Sequence, residues 1–163
     1  MVNEHLATYL NDHLAGSVAA IELLEHLQAA YVGDELEHFF TGLRNDIEAD
    51  RQELKQLMDQ LKIAQSRPRN AGAWIAGKFA ELKMRLDDSA YGPLRLLESL
   101  EAVELGITGK LALWRALIAA AEIAAALRDA LDYQRLARRA TEQIERVEFR
   151  RLEAAKAAFT GLR

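Results

Sequence analysis

The stretch Leu97–Leu117, "LESLEAVELGITGKLALWRAL", sets the reading of the whole chain. Its apolar residues recur at three- and four-residue spacing, the signature of an amphipathic helix. At about 100° per residue, Leu97, Leu100, Thr108 and Leu111 fall on one line, and Glu104 stands at its centre. Glu101 sits at the margin of that stripe and Glu98 lies off it. An isolated carboxylate in an apolar interior costs several kcal/mol or gives up its charge. Glu104 therefore requires a donor or a cation, and neighbouring helices have to supply it.

The same periodicity extends in both directions. Leu6, Tyr9, Leu10, Leu14, Ile21, Leu24 and Leu27 predict a first helix from about Asn3 to Ala30. In "YVGDELE" (Tyr31–Glu37), Gly33 suits a left-handed C-cap, and Asp34 with Glu37 suits a new helix start. A second helix from about Glu35 to Lys62 carries Leu36, Phe39, Phe40, Leu43, Ile47, Leu54, Leu57 and Leu61. Pro68 breaks it. A shorter helix over about Ala71–Leu86 has Trp74, Ile75, Phe79 and Leu82 on one side, and Pro93 opens the helix that contains Glu104. That helix is expected to end near Ile118, with Asp129 or Asp132 capping the last one, which reaches about Phe159. A short first turn and a long second connection describe an all-α antiparallel four-helix bundle with an extra helix in its crossover, forming one domain over residues 1–163.

Composition narrows the chemistry. The chain has 163 residues, half of them hydrophobic, a formal net charge of −4 and no cysteine. Disulfides, iron–sulfur clusters and thiol catalysis are excluded, and any metal must be held by carboxylates and histidines. The opening "MVNEHLATYL" lacks a basic segment before an apolar one, and "ALIAAAEIAAAL" is too short to span a bilayer, so a cytoplasmic protein without membrane contact is expected. Arginines in "YQRLARRATEQIERVEFRRLE" are interleaved with acids. They read as a solvated face, with Arg138–Glu142 and Glu142–Arg146 at i,i+4 spacing, and not as a nucleic-acid surface. "GITGK" (Gly106–Lys110) lacks the earlier glycine of a phosphate-binding loop and lies in a helix.

Counting away from the first turn brings His13 level with Asp50, and Ser17 level with Asp46. Two helices thus place polar groups on inward faces at one height, and His13–Asp50 is the natural pair. With Glu104 they define a candidate divalent-metal set of His13, Asp46, Asp50 and Glu104. On the last helix only Tyr133, Gln143 and Arg151 bring polar atoms near the inner side, while Glu142 and Glu145 project outward.

"YLNDHLAGSVAAIELLEHL" resembles the first helix of bacterioferritin-like and related small proteins of the ferritin-like superfamily, and "SLEAVELGITGKLAL" resembles their third helix around its metal-binding glutamate. The resemblance implies a di-metal site with one glutamate from each of two helices and a Glu-x-x-His pair from each of the others. Glu104 matches the third-helix glutamate. Ser17 stands at the first-helix glutamate, "NDIE" (Asn45–Glu48) replaces one Glu-x-x-His and "EQIE" (Glu142–Glu145) the other. Both histidines are missing.

The expected function is that of a non-catalytic ferritin-like bundle with a degenerate metal centre and no cofactor. Two alternatives stand beside it: a binder of a divalent ion such as iron or manganese, and a dimeric interaction module. No small-molecule substrate is indicated. Trp74, Phe79 and Trp114 are large apolar surfaces, and Gly106 with Gly109 would let another helix approach closely. Together they predict a homodimer through the crossover helix or the glycine side of the third long helix.

Overall fold

The computed structural model describes residues 3–66, 77, 80–81 and 92–161. Among them the chain forms α1 (Glu4–Ala30), α2 (Glu35–Gln60), α3 (Gly92–Ala121), the one-turn α4 (Ala125–Arg128) and α5 (Tyr133–Thr160). The expected crossover helix with Trp74, Ile75, Phe79 and Leu82 lies outside the described residues.

Local chemistry sets each boundary. The Asn3 side chain accepts from the His5 N–H and starts α1. Gly33 reverses the chain at φ +81° and donates its N–H to Glu37 Oε2 at 2.7 Å, while Asp34 Oδ1 accepts from the Leu36 N–H at 2.9 Å. The break before α5 falls at Asp132, whose carboxylate accepts from the Arg135 N–H at 2.9 Å. A cap of this kind contributes about 1 kcal/mol. It starts α5 where the preceding alanine-rich sequence contains no glycine or proline.

The long helices pack as two antiparallel hairpins, α1 with α2 and α3 with α5. Leu10, Leu24, Leu27, Phe40, Leu43, Leu57, Leu100, Ile107, Trp114, Leu136 and Val147 are buried between them. Trp114 is 1 % exposed, so it is a core residue and gives no reason for a partner subunit. On α3 the buried arc runs through Val103, Ile107 and Trp114, leaving Thr108 exposed and Glu104 half-buried. The line drawn through Glu104 in the sequence is the edge of the buried arc, not its middle. No described helix is long and apolar enough to cross a membrane.

Asn11 holds the segment that leaves α2. It is 5 % exposed. Its amide donates to Ala7 O at 2.9 Å and to Ala64 O at 3.2 Å, and its oxygen accepts from the Ser66 N–H at 2.7 Å. Asn11→Ala removes two bonds across a separation of more than fifty residues and leaves their partners unsatisfied. It is expected to destabilise the fold by about 2 kcal/mol, measured as a lower urea midpoint with an unchanged slope.

Candidate functional site

The acids of α2 and the arginines of α5 form a ladder. Glu35 pairs with Arg150, Asp46 with Arg146, Asp50 with Arg139 and Glu53 with Arg135. Numbers rise on one helix as they fall on the other, so α2 and α5 are antiparallel. These arginines are therefore not merely a solvated face. Arg146, expected to pair with Glu142 along its own helix, reaches Asp46 across the bundle. Three of the rungs are substantially exposed on at least one side, and such pairs contribute at most about 1 kcal/mol each. The Asp50 rung is different, because Asp50 is 2 % exposed.

Three groups from two other helices meet at Asp50. Its Oδ1 accepts from the Arg139 guanidinium, at 2.7 Å from Nε. Its Oδ2 accepts from Lys110 Nζ and, at 3.0 Å, from the amide of the fully buried Gln143. Lys110 also donates to Gln143 Oε1, which closes a ring of three hydrogen bonds. Burial pushes the Lys110 ammonium below its ordinary pKa, and the Asp50 charge opposes that shift. Both oxygens of the carboxylate and both ends of the Gln143 amide are thus satisfied, as a buried polar network requires.

The four metal candidates from the sequence are distributed as follows. His13 and Asp50 line one cavity from facing helices, as their levels from the first turn predicted. They do not form the expected pair, because Lys110, Arg139 and Gln143 occupy Asp50. Asp46, one turn away on α2, is held by Arg146. Glu104 lies 3.3 Å from Arg151 Nε and shares that guanidinium with Glu148 and Glu101. Burial, with Glu148 as the next cause, raises the Glu104 carboxyl above its ordinary pKa. Its donor is an arginine from α5. Among the described residues no three histidines or carboxylates cluster closely enough to hold a metal ion. The described residues do not fit the di-metal group that the resemblance implies. The carboxylate that would bind a cation already faces an ammonium and a guanidinium, and these would repel a dication.

Lys110 and Arg139 escaped the sequence reading, although both left a signal. Lys110 lies seven residues after Val103, three after Ile107 and four before Trp114, all buried. On α5, residues 135, 139, 146 and 150 repeat at four and seven, the spacing of one helical face.

Beside the network lies a cavity of about 190 Å³ between α1, α2 and α3. Asp50 and Lys110 belong to its walls, with His13 and Ser17 from α1 and apolar Ile47, Leu54 and Leu113 around them. Gly16 on α1 and Gly106 and Gly109 on α3 also line it. A methyl group placed on Gly16 or Gly109 would meet no atom of another described element within 4 Å. Among the described residues, Gly109 therefore borders open space.

No family model matches the sequence, and no curated protein does. Among solved structures, the chain is similar to the E. coli stress protein YciF, with a TM-score of 0.61 and 16% identity over 98% of this chain and 96% of that one. This likeness shows the fold, an all-α helical bundle.

His13 has a pH-dependent consequence. Burial lowers its pKa below the ordinary 6.5, with Asp12 opposing the shift. The unfolded chain then takes the proton before the folded one, so stability falls as pH drops below about 6.5. In urea titrations at stepped pH, His13→Phe is expected to flatten the loss that sets in below about pH 6.5. An unchanged slope would exclude this assignment.

Proposed function

We propose that this chain is a non-catalytic bundle that binds one small, uncharged, ring-sized molecule in the cavity between α1, α2 and α3. In this reading its polar centre is neutralised by Lys110 and Arg139 instead of a metal ion. The observation that carries the proposal is the pair Gly16 and Gly109. Each stands inside a long helix, where glycine is about 0.5–1 kcal/mol less favourable than alanine. Neither is needed for close packing among the described residues, since none of them approaches within 4 Å of the position a Cβ would take. Their effect is to keep the cavity open.

Size and charge narrow the occupant. An apolar cavity of about 150 Å³ accepts a benzene-sized molecule, and this one measures about 190 Å³. Its described lining carries two acids, Asp12 and Asp50, and two bases, Arg51 and Lys110. The charges balance, so a charged guest would gain no net counter-charge.

Thermal melts test this reading with three additions: indole, benzoate and Mn²⁺. Indole is expected to raise the melting temperature in proportion to occupancy, with benzoate and Mn²⁺ without effect and dialysis against a chelator leaving the melt unchanged. Gly109→Ala should raise basal stability by about 0.5–1 kcal/mol, while Gly16→Leu should fill the space and abolish the indole shift. A shift produced by Mn²⁺ and none by indole is the outcome expected of a divalent-ion site at His13, Asp46, Asp50 and Glu104, and would overturn the proposal.

A further inference from the structure

The outer face of α5 carries a feature that neither the network nor the cavity uses. Phe149 is 61 % exposed, Leu152 46 % and Phe159 75 %. With Glu142, Glu145 and Lys156, all exposed, they recur at spacings of three, four, three, four and three. That is the a/d repeat of a coiled-coil seam, here facing away from the bundle. Contiguous exposed apolar side chains rimmed by charge mark an association surface. The Arg150 guanidinium lies 5.7 Å from the centre of the Phe149 ring and 5.8 Å from that of Phe39, which ties the exposed ring to the body of the bundle.

We infer that this face of α5 binds a second copy of the same chain, antiparallel, about a twofold axis between residues 150 and 151. The argument is self-complementarity. About that axis Phe149 meets the partner's Leu152, and Glu145 meets the partner's Lys156. Each pair occurs twice, as an isologous interface demands. Glu145 and Lys156 form no ion pair with any described residue of their own chain, so both are available. The seam from Glu142 to Phe159 runs about 26 Å along the helix. Acids occupy its N-terminal half and the base its C-terminal half, so a parallel arrangement would set like charges side by side. The antiparallel one sets Glu145 opposite Lys156 and also opposes the helix dipoles.

Sedimentation equilibrium on the full chain tests the inference with five proteins: the unaltered chain, Phe149→Ser, Glu145→Lys, Lys156→Glu and the Glu145→Lys/Lys156→Glu double variant. All the altered positions are exposed, and circular dichroism serves to check that each variant is folded. The unaltered chain is expected to dimerise, Phe149→Ser and each single charge variant to raise the dimer dissociation constant at least about tenfold, and the double variant to return close to the original value. A chain that stays monomeric at high concentration would overturn the proposal. So would a dimer indifferent to all four variants, or single charge variants that weaken the dimer without rescue by the double.

Discussion

The structure depends on one constraint, the neutralisation of Asp50. A carboxylate at 2 % exposure cannot remain charged without partners, and the energy at stake is several kcal/mol. The partners come from α3 and α5, so satisfying Asp50 fixes three helices relative to one another. Lys110 sets the height of α3, Arg139 and Gln143 set that of α5, and the outer rungs from Glu35 to Glu53 follow in register. These outer pairs are too exposed to stabilise much by themselves. Their importance is directional: they disfavour any rotation of α5 that would place its arginines elsewhere.

Much of the fold was legible because its signals are local. The Gly33–Asp34 turn, the Asp132 cap and the three–four spacing of leucines all act within a few residues. The site was legible only in part. Asp50 was recognised as inward, and its level with His13 was correct, because a short turn fixes the register of a hairpin. Its partners were assigned within the same hairpin, whereas they lie on helices reached through the long connection, whose register no local signal sets. Glu104 shows the same difficulty. The wheel placed it at the centre of its stripe, yet α3 is buried over a wide arc and Glu104 sits at the margin, where Arg151 reaches it. Lys110 was passed over because a lysine is assumed to face water, although its neighbours at minus seven, minus three and plus four are all buried.

The cavity could not be read from sequence. A glycine inside a helix has two opposite explanations, a close neighbour or a void, and only coordinates distinguish them. Here they favour the void at Gly16 and Gly109. In this helical bundle an ammonium and a guanidinium meet the central carboxylate, so its charge is met by the chain's own cations. Under the proposed function, the adjoining cavity takes an uncharged guest. Fold and candidate function are linked at Asp50 and Lys110, which belong both to the tie between helices and to the wall of the cavity.

The most direct test of that link is the coupling free energy between Asp50 and Lys110. It is obtained from urea unfolding of the original chain, Asp50→Asn, Lys110→Met and the double variant. If Lys110 is the cation that makes the buried carboxylate tolerable, the two substitutions must be strongly non-additive, with a coupling of about 2 kcal/mol and a double variant more stable than Asp50→Asn alone. Additivity to within about 0.5 kcal/mol would mean that Lys110 does not neutralise Asp50, and would contradict the account at its centre.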